Sequence, residues 1–77
     1  MMIVEILTPD KTLFSGEADV VTLPGAQGSF QILKNHAPMI ANLSKGILSI
    51  KSAEGKQQFD VNGGLVEVLK NKVIVLV

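Results

Sequence analysis

Cysteine, tryptophan and tyrosine are absent from this 77-residue chain, and histidine occurs once. Each absence removes a class of chemistry. Without cysteine there is no disulfide, no thiolate metal site and no sulfur nucleophile, a pattern expected of a reducing, cytosolic setting. Without tryptophan or tyrosine the rings that stack on sugars are missing, which argues against a carbohydrate-binding module. One imidazole cannot supply the three or four ligands of a zinc site, so no metal or other cofactor is expected. Seven basic residues balance seven acidic ones and no two lysines are adjacent, so no broad field draws nucleic acid or an anionic membrane. Apolar runs are short as well. Glu5 interrupts the opening MMIVEIL, and no stretch approaches the roughly 20 residues of a membrane helix, so neither a secretory signal nor membrane insertion is expected.

What is present is a well-patterned globular sequence, 47% hydrophobic and 18% charged, of a length that suits one domain spanning residues 1–77. Its apolar residues recur with period two. Val4 and Ile6 share one face, Ala18, Val20 and Thr22 another, Leu48 and Ile50 a third, Val66 and Val68 a fourth. Turn signals fall between them at Pro9-Asp10, Ser15-Gly16, Pro24-Gly25, Asn35-His36, Lys45-Gly46, Glu54-Gly55, Asn62-Gly63-Gly64 and Asn71-Lys72. Short strands at this spacing predict an all-β sandwich or barrel with no helix. Glu54-Gly55 joins Ile47–Ala53 to Lys56–Val61 as a hairpin, and Lys70-Asn71-Lys72 joins Leu65–Leu69 to Val73–Val77, so the second half reads as four sequential antiparallel strands. The last of them, KVIVLV, is apolar on both faces and belongs inside a sheet or under a partner.

No catalytic residue is expected. No G-x-S-x-G elbow surrounds a serine, the acids are scattered singly, and Gly25-Ala-Gln-Gly28 lacks the Gly-Lys-Ser/Thr ending and following helix of a phosphate loop. Pro24 should end a strand, with Gly25 and Gly28 allowing a projecting turn. That turn reads either as a plain strand connection or, its tip being small and uncharged, as a surface for close approach by another protein. His36-Ala37-Pro38 likewise reads as a bend in which the imidazole bonds a neighbouring backbone group, or as an interface. Met39, Ile40 and Leu43 follow as core or binding-surface residues.

Taken in order, Phe14-Ser15-Gly16, Leu23-Pro-Gly-Ala-Gln-Gly28, His36-Ala-Pro38, Lys45-Gly-Ile-Leu-Ser-Ile50, Gly63-Gly-Leu-Val-Glu-Val68 and Asn71-Lys-Val-Ile-Val-Leu76 resemble the epsilon subunit of the F-type ATP synthase over nearly the whole chain. The resemblance implies a flattened antiparallel ten-stranded β-sandwich. It also implies a non-catalytic rotor part at the foot of the central stalk, on the cytoplasmic face of the inner (plasma) membrane. There it would bind the gamma subunit and touch the polar loops of the c-ring, coupling proton-driven rotation to ATP synthesis carried out elsewhere. Gly25, Ala26, Gln27, Gly28 and Ser29 match the ring-facing loop of the family, and His36, Ala37, Pro38, Met39 and Ile40 match a segment expected toward gamma, with Met39, Ile40 or Leu43 on the adhesive face.

Three positions depart from the pattern. Ser29 stands where many relatives carry an acid, Gln31 replaces a usual glycine, and Lys34-Asn35 replaces a usual Pro-Gly turn, although Asn35 can still turn the chain. Family members usually continue into a C-terminal helical hairpin with inhibitory and, in some, ATP-binding roles. A chain ending at Val77 on an apolar strand looks stopped early, and if it is complete those activities are expected to be missing. The competing class is a biotinyl- or lipoyl-type carrier domain with Lys56 as the modified residue, but the Met-Lys-Met or Asp-Lys-Ala surroundings of such lysines are not present.

Overall fold

Val4 and Ile6 point the same way from the first strand and both are buried, as their period-two spacing requires. The computed structural model describes residues 2–77 and builds them from strands alone: β1 Met2–Leu7, β2 Thr12–Ala18, β3 Val20–Gly25, β4 Gly28–Leu33, β5 Met39–Ser52, β6 Gly55–Leu69 and β7 Lys72–Leu76. They form one hydrogen-bonded sheet in the order β2-β1-β7-β6-β5-β3-β4. The all-β class agrees with the sequence reading. The strand number is seven rather than ten.

The shortfall has a physical cause in β5 and β6. A straight 15-residue strand would be about 50 Å long at 3.3 Å per residue, yet the longest dimension of the molecule is 26 Å. The pair therefore folds over, and each strand serves both layers. In β5 the buried residues change from Leu43 to Leu48 and Ile50, and in β6 from Val61 to Val66 and Val68, so the inward parity switches in both strands. The switches face each other, because Leu43 pairs with Gly64 and Gly46 with Val61. Lys45-Gly46 and Asn62-Gly63-Gly64, expected as turns, are thus the corner at which a continuous strand pair crosses between layers. Gly63 and Gly64 have φ of 122° and 144°, a backbone conformation that side chains disfavour. The second half accordingly holds three strands instead of four.

One layer contains β2, β1, β7 and the facing ends of β6 and β5, and the other contains β4, β3 and their remaining halves. Phe14 of β2 meets Phe59 of β6 edge to face across the gap, with ring centroids 6.3 Å apart. Between the layers lies one core that includes Ile6, Val21, Leu23, Ile32, Leu48, Ile50, Val66, Val68, Val73 and Val75. Pairing is antiparallel except between β1 and β7, which run parallel with Ile3 opposite Lys72 and Leu7 opposite Leu76. β7 thus lies inside the sheet, the placement its two-sided apolar pattern demanded. The Ala18-Val20-Thr22 face is not formed: Asp19 bends the chain between β2 and β3, and Val21 and Leu23 are the buried residues instead.

Both anticipated hairpins are present. Ala53-Glu54 turns β5 into β6 with Gly55 at φ 120°, and Lys70-Asn71 turns β6 into β7 with Asn71 at φ 57°. Asn71 also holds two distant segments. Its Oδ1 accepts the Asn35 N–H at 2.8 Å, its Nδ2 donates to Asn35 Oδ1 at 3.0 Å, and its backbone carbonyl accepts the Ile3 N–H at 2.9 Å. Asn71→Gly keeps the left-handed turn but loses the amide pair, so we expect it to cost about 1 kcal/mol, with Asn71→Ala costing roughly twice that. Urea unfolding of the two variants measures both values.

Candidate functional site: a hairpin tip and an apolar sheet face

Ala26 and Gln27 form the two-residue turn that closes β3 onto β4, with Gly25 opposite Gly28. Position 25 is buried and has no room for a side chain: a Cβ would lie 2.5 Å from the Gly28 carbonyl oxygen and 2.7 Å from the Phe30 ring. Gly28 has φ of 128° and open space around it, so it is glycine for its conformation alone. Residues 26–29 are exposed. Pro24 does not end the strand. It pairs with Ser29 at the place where residues 23–24 of β3 lie opposite residues 44–48 of β5, a bulge that asks for no amide from the proline.

The tip is held in position by the layer-crossing corner. The Ala26 N–H donates to the Asn42 carbonyl at 3.0 Å, and the Ser44 hydroxyl donates to the Pro24 and Gly25 carbonyls at 3.2 and 3.4 Å. As a result the tip flanks the start of β5, and Gly25–Ser29 share a shallow groove with Met39 and Ala41. The two segments singled out in the sequence are therefore neighbours, a closeness that no local signal contains.

His36-Ala37-Pro38 is the irregular link between β4 and β5. The His36 Nδ1–H donates to the Ala37 carbonyl at 2.7 Å, which is the plain bend reading of this histidine. Beyond it the residues diverge by strand alternation. Met39 packs inward against the core, Leu43 is only 6% exposed, and Ile40 points outward with 67% exposure. Of the three candidates for an adhesive face only Ile40 lies on the outer side of the sheet, because Met39 and Leu43 sit on the opposite side of β5 from it.

Ile40 is not isolated. Across the outer face it pairs with Glu67, which pairs with Ile74, which pairs with Glu5. The next row runs Leu7, Leu76, Leu65, Asn42, and the row on the other side runs Ile3, Lys72, Leu69. Ile3, Leu69 and Leu76 are exposed, so four strands together present one aliphatic face interrupted by two carboxylates and a lysine. Sequence reasoning missed Ile3, Leu69 and Leu76. The signal that could have found them was the two-sided apolar pattern of KVIVLV, whose outer side chains need apolar neighbours.

Among the described residues no three histidine or carboxylate side chains converge as a metal site, and no buried side-chain polar atom lacks a hydrogen-bond partner.

Comparison with known proteins agrees with this architecture. The family profile described as "ATP synthase, Delta/Epsilon chain, beta-sandwich domain" matches residues 1–77. An ATP synthase epsilon chain from Leptospira borgpetersenii is 42% identical over 73 residues, covering 95% of this chain and 58% of that protein. One from Chlorobium limicola is 44% identical over 73 residues, covering 94% of this chain and 83% of that protein. The chain thus spans little more than half the length of the Leptospira relative. In fold it is similar to a chain of the Euglena gracilis mitochondrial ATP synthase OSCP/F1/c-ring structure, with TM-score 0.90, 23% identity, and coverage of 97% of this chain and 49% of that one. A chain of the Tetrahymena thermophila mitochondrial ATP synthase central stalk/c-ring structure matches with TM-score 0.81 and 22% identity over 97% of this chain and 61% of that one. With the profile spanning every residue and relatives above 40% identity over nearly the whole chain, the chain belongs to the β-sandwich domain family of ATP synthase delta and epsilon chains.

Proposed function

We propose that this domain is a non-catalytic part of the central stalk of a proton-translocating ATP synthase, peripheral to the cytoplasmic face of the membrane. Its outer aliphatic face adheres to the gamma subunit, and the β3–β4 tip, Gly25–Ser29, faces the polar loops of the c-ring. In this role the domain couples rotation to nucleotide chemistry performed elsewhere. The observation that carries the reading is the outer face itself: Ile3, Ile40, Leu69 and Leu76 exposed on four adjacent strands of one small domain. A face of this kind, with Glu5 and Glu67 set among aliphatics, suits a partner with apolar side chains and a few cations.

The neighbouring tip supports a division of labour. It is small, uncharged and braced by bonds to β5, so it can approach a polar loop closely while transmitting force into the sandwich. Ser29 is exposed at its end and offers a hydroxyl where many relatives carry an acid, so a contact there relies on hydrogen bonding instead of charge. The carrier-domain alternative gains no support: the tip of the β5–β6 hairpin is Ala53-Glu54, and Lys56 lies inside β6 opposite Lys51.

Co-purification with the gamma subunit of the same organism tests the reading. Wild-type chain is expected to form a one-to-one complex, and Ile40→Lys to weaken it by about 100-fold, the cost of burying a cation among aliphatic side chains. Ala53→Lys, on the far hairpin, should leave affinity unchanged. No complex with wild-type chain, or an Ile40→Lys variant that binds normally, overturns the assignment of this face.

A further inference from the structure

β2 and β4 are the two strands that end the sheet, and they are protected very differently. β2 has a bulge opposite Ile6 and Leu7, contains Gly16 and Glu17, and is flanked by Lys11 and Asp19. Those are the usual means of blunting an edge. β4, Gly28–Leu33, has no charge, no proline and no bulge against its neighbour, and it carries an exposed leucine, Leu33, at 51%.

The free side of β4 can be read from its register. A two-residue hairpin closes on a hydrogen-bonded pair, here Gly25 with Gly28, and such pairs alternate along the ladder. Gly28, Phe30 and Ile32 therefore direct their backbone groups to β3, whereas Ser29, Gln31 and Leu33 direct theirs away from the sheet. Among the described residues no loop or turn backbone group bonds to these three.

We propose that β4 is a pairing edge and that its occupant is a second copy of this chain, joined antiparallel about Gln31. The strand is self-complementary in that register. Ser29 faces Leu33 of the second copy, Gln31 faces its own counterpart, and Leu33 faces Ser29, so the outward backbone groups of both strands are satisfied together. On the inner side Phe30 meets Ile32 of the second copy, an aromatic against β-branched pair that continues both cores. On the outer side the two Gln31 amides lie in hydrogen-bonding reach. Lys34 falls opposite Gly28, so no like charges meet, and a chain of zero net charge does not repel its copy. The area involved is small, so the dimer is a weak one that covers the edge when the chain stands alone. This inference does not rest on the stalk assignment, but the two share Gly28 and Ser29, so pairing through β4 covers the end of the tip.

Sedimentation equilibrium across two decades of concentration, up to the millimolar range, tests it. The wild-type mass is expected to rise from 8.2 kDa toward twice that value. Gln31→Lys and Gln31→Glu should each stay monomeric, since each places like charges face to face, and an equal mixture of the two should recover the doubled mass. Gln31 is exposed and its side chain makes only a 3.5 Å bond to Thr22 Oγ1, so both variants are expected to fold. In the wild type itself, hydrogen exchange at the Ser29, Gln31 and Leu33 amides should slow at least several-fold as concentration rises, while exchange at β2 does not. A monomer throughout overturns the proposal. So does a dimer that survives both Gln31 variants, or one that Ile40→Lys abolishes while they do not, which would put the contact on the aliphatic face.

Discussion

Gly64→Ala is expected to cost this domain about 4 kcal/mol of stability. Two effects add at that position. Its φ of 144° belongs to a region that is essentially reserved for glycine, with a strain of roughly 1–3 kcal/mol for any other residue. In addition, a Cβ there would collide with the Leu76 carbonyl oxygen and lie 3.1 Å from Val77 Cα. Both are backbone atoms of or beside β7, so no side-chain rotation relieves the clash, and β7 must move away from β6. Gly63 separates the two effects. Its φ of 122° is also unfavourable, but its Cβ would stand 3.4 Å from the Leu43 carbonyl oxygen, near ordinary contact. Gly63→Ala should therefore cost about 2 kcal/mol, the strain alone. A domain of this size has a total stability of roughly 4–12 kcal/mol, so urea midpoints should fall in the order wild type, Gly63→Ala, Gly64→Ala. Equal midpoints for the two variants would show that the approach of β7 to Gly64 is not tight.

Leu23→Ala is the second large effect, at about 3 kcal/mol. Leu23 is fully buried, sits on the inner face of β3 directly opposite Phe30, and belongs to the single core shared by both layers. Removing its side chain leaves a cavity whose walls belong to strands fixed by their ladders, so the site collapses poorly. Ile47→Ala is the matched control. Ile47 lies in a strand of the same layer but is 54% exposed, and its truncation should cost less than about 0.5 kcal/mol. Because Leu23 adjoins Pro24 and Gly25, its loss should also loosen the β3–β4 tip. Faster amide exchange at Ala26, whose N–H bonds to the Asn42 carbonyl, would register this. A Leu23→Ala variant as stable as Ile47→Ala would mean that burial does not set the energetics of this core.

The parts of the molecule legible in the sequence are those set by neighbours along the chain. Val4 with Ile6, Leu48 with Ile50 and Val66 with Val68 are buried as their alternation requires, since a strand sends every second side chain to one face. The hairpins at Ala53-Glu54 and Lys70-Asn71 were readable because glycine or asparagine supplies the positive φ next to strand-like runs. The β3–β4 turn was readable in part for the same reason, Gly28 supplying the positive φ beside Ala26 and Gln27, but its start was not, since Pro24 stays within β3. Even the burial of KVIVLV inside the sheet was a local inference from its two apolar faces.

Other features had no local signature. Gly46, Gly63 and Gly64 look like turn residues, and only the pairing of β5 with β6 through all three positions makes them a corner within continuous strands. The bend at Asp19 shifted which residues of β3 face inward, because a single irregular residue inverts the alternation. Sequence alone determined that this is an all-β domain with these hairpins and these inward faces. Tertiary structure decided that β1 and β7 lie side by side in parallel, that the tip rests against the start of β5, and that Ile3, Ile40, Leu69 and Leu76 share one surface. The division follows from distance along the chain: alternation and turn chemistry act over a few residues, whereas a sheet face is assembled from strands whose order the local pattern does not encode.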